Sequence, residues 1–168
     1  MFEGAPLELI SGELIVAEPQ GSYHAGTIGR VGDAIRSALP RGFVARIQAP
    51  IALSDDSEPE PDVAVVQGTH DDYLTMHPTH AVLIVEVAES SLGFDRNPKA
   101  AVYARAGIQD YWIVNVVDRV LEIYREPIPD SSGRWGWQYS FQDRLTPPAT
   151  VTLLALPDVR WPVEALVR

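Results

Sequence analysis

Ala81-Val82-Leu83-Ile84-Val85-Glu86-Val87-Ala88 is the stretch on which the fold turns. All its residues but Glu86 are apolar, and such a near-continuous run suits a central strand covered on both faces. By strand alternation Glu86 shares a face with Val82, Ile84 and Ala88. A carboxylate in the most buried strand is costly unless it binds a metal, pairs with a cation or takes up a proton. The plainer alternative is a strand end where Glu86 is satisfied by an arginine or by backbone donors.

Upstream, a Pro-rich link, Ser54-Asp55-Asp56-Ser57-Glu58-Pro59-Glu60-Pro61, delivers the chain to a strand over Asp62–Val66. Asp62 follows a proline, a common turn dipeptide. Its interest rises because Glu86 enters the next strand. Two carboxylates converging on adjacent strands make a hard-oxygen site suited to Mg²⁺ or Mn²⁺. Downstream, Asn97-Pro98 predicts a helix start and Gly107 its stop. Folded back over the sheet, that helix carries Lys99 towards the same pocket, with Tyr103 one turn on. Asp95, just ahead of it, reads as a cap or a salt-bridge partner.

Farther out, Leu7–Ile10 and Glu13–Ala17 flank Ser11-Gly12 and predict a hairpin. Ile28, Val31, Ile35 and Leu39 recur at helical spacing, ended by Pro40 and Gly42. Phe43–Ile47 pairs with Ile51–Leu53, Tyr111–Val116 with Val120–Tyr124, and Trp135–Phe141 and Val151–Leu154 are later strands. Two helices and roughly eight strands predict an α+β fold with a mixed β-sheet, in one domain. Trp135 and Trp137 are core residues or an exposed patch for a partner. His77 and His80 flank Pro78, which opposes a helical metal pair and favours a solvated loop.

Composition narrows the function classes. The 168 residues hold no cysteine, which excludes disulfides and thiolate metal sites. No basic stretch followed by an apolar run opens the chain, and no apolar stretch is long enough to span a bilayer, so a cytoplasmic protein without membrane contact is expected. A formal net charge of −10 repels phosphate and counts against nucleic acid unless the few cations gather on one face or divalent metal offsets the carboxylates. Lys99 is the one lysine among thirteen Lys and Arg residues. A lysine differs from arginine in compactness and tunable pKa, so its place beside a carboxylate cluster invites a chemical explanation.

Glu60-Pro61-Asp62-Val63-Ala64-Val65-Val66, then Leu83-Ile84-Val85-Glu86-Val87-Ala88-Glu89-Ser90-Ser91, then Asp95-Arg96-Asn97-Pro98-Lys99 with Tyr103, Gly107 and Tyr111-Trp112-Ile113-Val114, together resemble the Uma-type restriction endonuclease family. The likeness extends to Leu9-Ile10-Ser11-Gly12-Glu13-Leu14 and to His24, so it covers most of the chain. It implies a restriction-endonuclease-like core of the PD-(D/E)xK kind, a mixed sheet flanked by helices. Asp62 would be the Asp of the "PD" element and Glu86 the second acid. The general pattern wants a lysine where Ala88 stands; members of this type carry it on the following helix, which maps to Lys99. The resemblance thus implies Asp62, Glu86 and Lys99 as catalytic, Asp62 and Glu86 as Mg²⁺ or Mn²⁺ ligands, and Tyr103 supporting Lys99. Glu13 and His24 match the N-terminal pattern without an assigned step.

The implied activity is endonucleolytic hydrolysis of DNA phosphodiester bonds by metal-activated water. The acidic charge disfavours DNA, although a homodimer could gather Arg30, Arg36, Arg41 and Arg46 into a groove. Two other readings compete: a non-catalytic binding or assembly module on a nuclease-like fold, and a metal-dependent hydrolase of small phosphate esters.

Overall fold

The computed structural model describes residues 7–16 and 20–168. Its centre is a six-stranded mixed sheet built from β3 (Phe43–Ile47), β4 (Val63–Gln67), β5 (Leu83–Ala88), β6 (Asp110–Asn115), β7 (Val120–Pro129) and β8 (Trp137–Leu145), in that spatial order. Every pair is antiparallel except β5–β6. A parallel pair needs a crossover, and the helical segment between β5 and β6 supplies it. All six residues of β5 are buried, as its apolar run requires. The fold is α+β, as read from the pattern of elements.

Alternation divides the core. Val63, Val65, Leu83, Val85, Val87, Trp112 and Val114 pack on one face with Ile28, Val31 and Ile35 of α1 (Ser22–Ala38) and with α4 (Val163–Val167). Ala64, Val66, Ile84, Ala88 and Ile113 pack on the other with Tyr103 and Ala104 of α3 (Ala100–Arg105). Trp161 stacks edge-on against Trp112 at 5.7 Å and donates its Nε1–H to Ala34 O at 2.9 Å, pinning α1 to this layer. β1 (Leu7–Ile10) and β2 (Glu13–Val16) form the expected hairpin outside the main sheet; Ala17 of the predicted strand lies outside the described residues. β9 (Thr150–Leu153) and β10 (Leu156–Pro162) make a third, two-stranded sheet.

Three sequence expectations need correction. Ile51–Leu53 is not a strand, because its amides bond across loops: Ile51 N–H to Pro59 O at 3.0 Å and Ala52 N–H to Pro78 O at 2.9 Å. The helix expected from Asn97 begins earlier, as a short α2 (Leu92–Phe94) running into a π-helical turn, Asp95–Lys99. Pro98 sits inside that turn rather than at a helix start, and its missing N–H accords with a ladder that slips to wider spacing. Trp135 precedes β8 and is 44 % exposed, with the Arg134 guanidinium 4.8 Å over its ring. The helix ends follow the sequence closely. Leu39, before Pro40, turns to ψ 134° and stops α1. Gly107, at φ 74°, ends α3 with Gly107 N–H on Ala104 O and Ile108 N–H on Tyr103 O, both at 3.0 Å.

Candidate active site

The β4–β5 register pairs Val63 with Val85. One residue farther along, the same register sets Asp62 opposite Glu86 at the end of the ladder. The two carboxylates complete the pairing that backbone groups leave unfinished. Val87 N–H donates to Asp62 Oδ2 at 2.7 Å, and Asp62 N–H points to Glu86 Oε2 at 3.4 Å. Asp62 is 8 % exposed and Glu86 3 %.

Lys99 and Tyr103 reach this point from the crossover helix. Lys99 Nζ lies 3.0 Å from Glu86 Oε1, and Tyr103 O–H donates to the same oxygen at 2.6 Å. Position i+4 puts both side chains on one face, and that face lies over the sheet end where Glu86 emerges. The π-helical turn also carries Asp95 inward, where Ser91 O–H donates to its Oδ2 at 2.6 Å and its backbone oxygen accepts from Tyr111 O–H at 2.9 Å. Asp95 therefore belongs to the site, beyond the capping role expected from sequence.

A pocket of about 800 Å³ opens over these groups, lined by Glu8, Glu60, Asp62, Glu86, Glu89 and Asp95 against Lys99 and His24. Burial dominates the electrostatics. It lifts the Asp62 carboxyl well above the usual range, with the Glu86 charge adding to the effect. Burial also raises Glu86, although Lys99 pulls the other way. Asp95 is pushed up to about 7, by burial first and Glu86 next. Burial alone would lower Lys99, but Glu86, Glu8 and Asp95 outweigh it and hold the ammonium charged.

This donor set fits a divalent cation. Both acids offer hard oxygens, and among the described residues Asp62 Oδ1 accepts no hydrogen bond. Two mutually repelling, desolvated carboxylates gain from a cation placed between them. Among the described residues no three His, Asp or Glu side chains converge as a ready cage. Such a pair could hold an ion of the Mg²⁺ kind, which uses one or two carboxylates and keeps several waters.

The sequence-predicted residues divide clearly. Asp62, Glu86, Lys99 and Tyr103 come together. His24 lines the pocket from the start of α1, its pKa lowered by burial against the pull of Glu89. Glu13 does not join them; it is exposed on β2 and outside the pocket lining. Glu8 was missed. It is 6 % exposed, and its Oε1 lies 3.1 Å from Lys99 Nζ. The signal was available in Leu7-Glu8-Leu9-Ile10, where alternation turns Glu8 to the same inward side as buried Ile10, the argument that singled out Glu86.

Three of the four arginines proposed for a phosphate groove have partners within the fold. Arg36 pairs with Asp33 at 3.1 Å and Arg30 donates to the Arg168 backbone oxygen. Arg46 lies 5.5 Å over the Tyr73 ring and 3.3 Å from His77 Nδ1. Among the described residues no helix is long and apolar enough to cross a membrane.

The sequence profile of Uma2, described as "Putative restriction endonuclease", matches residues 2–164. Among curated proteins none matches. Among solved structures, a crystal structure described as "a putative nuclease belonging to DUF820 from Anabaena variabilis" superposes with a TM-score of 0.72 at 16% identity, covering 95% of this chain and 89% of that one. At that identity the likeness establishes a shared fold.

Proposed function

Since the chain belongs to the Uma2 family, we propose that it is a metal-dependent endonuclease that hydrolyses DNA phosphodiester bonds. The observation that carries this reading is the buried Asp62–Glu86 pair at the pocket floor, with Lys99 Nζ 3.0 Å from Glu86. Asp62 and Glu86 would hold a magnesium or manganese ion, and the chemistry such an ion supplies when bound is polarisation of the phosphate and of a water.

The chain's own groups do the rest. Val87 N–H fixes Asp62, and Tyr103 O–H fixes Glu86, so neither carboxylate needs to reorganise on binding. An ammonium has three N–H donors, and Glu8 and Glu86 engage Lys99 from two sides. The remaining donor is suited to a phosphate oxygen as negative charge builds on it. In the net reaction a water oxygen bonds to phosphorus and the P–O bond to the leaving sugar oxygen breaks.

The carboxylate-rich lining favours a second reading, hydrolysis of a small phosphate ester, which brings fewer negative charges past Glu60 and Glu89. One experiment separates the two. Plasmid, single-stranded DNA and a nitrophenyl phosphate diester are incubated with Mg²⁺ or Mn²⁺ and the wild type, Glu86→Ala or Lys99→Ala. The nuclease reading expects DNA cleavage in the wild type, reduced about a hundredfold or more in both variants. Cleavage that survives both substitutions overturns the site. Turnover of the small ester alone selects the second reading.

A further inference from the structure

Glu8 stands apart from the acids that a phosphodiesterase mechanism uses. Its Oε1 accepts the Glu60 backbone N–H at 2.7 Å and forms an ion pair with Lys99 Nζ at 3.1 Å. Glu60 lies two residues ahead of Asp62, so the same carboxylate touches both the approach to Asp62 and the ammonium beside Glu86. The hairpin that carries Glu8 is itself fastened, with Glu58 N–H on Leu9 O and Gly12 N–H on Asp56 O, both at 2.8 Å. Glu8 is thus anchored by its strand and by the Glu60 amide.

Lys99 is not anchored in that way. Its ammonium ends a flexible four-carbon stem, and its partners decide where it rests. Glu86 attracts it from one side at 3.0 Å and Glu8 from the other at 3.1 Å. With Glu86 alone, the ammonium would be held from one side only, free to swing about that carboxylate. We infer that Glu8 is a positioning residue for Lys99, holding the ammonium at a fixed point between the hairpin and Glu86. Its effect on turnover rests on the nuclease reading; its placement of the ammonium does not.

Because Lys99 is the one lysine in the chain, lysine labelled with ¹⁵N at Nζ yields a single ammonium signal, read without interference in this 168-residue chain. Glu8→Gln keeps an acceptor for the Glu60 amide and removes the charge. Glu8→Asp keeps the charge and shortens the reach. Both variants are expected to shift the Lys99 signal and to speed exchange of its ammonium protons about tenfold or more. An unchanged signal and exchange rate in folded Glu8→Gln overturns the inference. So does a Glu8→Asp protein identical to wild type beside an altered Glu8→Gln, since charge alone would then suffice. Should neither variant fold, the wild type decides: an ammonium held from both sides is expected to exchange its protons at least about tenfold more slowly than free lysine, and exchange at the free rate overturns the inference. In DNA cleavage both variants are expected to lose about tenfold to a hundredfold in kcat at unchanged KM. Normal kcat beside a displaced ammonium overturns the positioning role. A wild type that cuts no DNA overturns the nuclease reading and leaves the ammonium measurements to decide this one.

Discussion

Asp95, Asp62 and Glu86 each hold a proton to higher pH in the folded chain than an exposed carboxyl does, through burial first. Asp95 reaches about 7, whereas an unfolded Asp titrates near 4. Between those values the folded state keeps the proton and the unfolded state has lost it, so stability falls as pH rises and the loss is complete above about 7. His24 opposes this, since its lowered pKa adds stability as pH rises through its unfolded value. Asp110 and Glu60 are raised as well, again through burial first, and these carboxyls against one imidazole predict a chelator-treated protein less stable at pH 8 than at pH 5, by on the order of a few kcal/mol. Urea unfolding at the two pH values checks it. Mn²⁺ should restore more stability at pH 8 than at pH 5, because only ionised carboxylates bind it. A metal effect independent of pH would contradict this account of the site. Tyr103→Phe removes the 2.6 Å bond to Glu86 while keeping the ring that packs 4.9 Å from Tyr111. It should cost about 1.5–3 kcal/mol in urea unfolding, the range for a hydrogen bond to a charged group.

Elements are also joined by a buried acid that has no part in the pocket. Asp110 on β6 is fully buried and accepts from Arg125 Nε of β7 at 2.8 Å, Trp112 Nε1 at 2.7 Å and the Leu154 amide beyond β9 at 2.9 Å. Arg125 extends the link by donating to Thr152 O at 2.7 Å. One carboxylate thus clamps the centre of the main sheet to the small β9–β10 sheet. Arg125→Met leaves Asp110 buried and without its cation, and should destabilise the fold by about 3–5 kcal/mol. Thermal or urea unfolding measures this. A loss under about 1 kcal/mol would show that the clamp is dispensable. The crossover between β5 and β6 shows the opposite balance of local and tertiary influence. Asn97-Pro98 carries a helix-start signal, yet the helix already runs through it, because Lys99, Tyr103 and Ala104 must all face the sheet. Tertiary packing outweighs local propensity there.

For the whole molecule, a net charge of −10 and a pocket rich in carboxylates set the terms of any nucleic-acid encounter. Arg30, Arg36 and Arg46 spend hydrogen-bonding capacity on internal partners, and thirteen cations stand against twenty-three carboxylates. DNA binding should accordingly be weak in chelator and strengthen when Ca²⁺ is supplied. Its salt dependence should be shallow, with a log–log slope of magnitude below about 4, since the slope counts neutralised phosphates. Filter binding across salt concentrations, with and without Ca²⁺, tests this. Tight, steeply salt-dependent binding in chelator would reveal a basic surface formed between copies of the chain.

Where local chemistry decides, the sequence by itself determined the outcome. The apolar run around Glu86 can satisfy its side chains only as a doubly covered strand, Pro40 must stop α1, and Gly107 alone tolerates the left-handed cap of α3. The suspicion attached to Glu86 came from the cost of a charge in an apolar setting, and that attached to Lys99 from its being the one lysine in a chain that otherwise uses arginine. Tertiary structure decided the partners. The register that sets Asp62 opposite Glu86 depends on strand pairing across a loop, and Glu8 meets Lys99 across ninety-one residues of chain. It also separated Glu8 from Glu13: the register pairs Glu13 with Ile10 and so puts both acids on one face of the hairpin, yet Glu8 is buried and Glu13, next to the turn, is exposed. Burial is a property of the assembled fold, and the pKa values that give this pocket its chemistry arise from burial before they arise from any neighbouring charge.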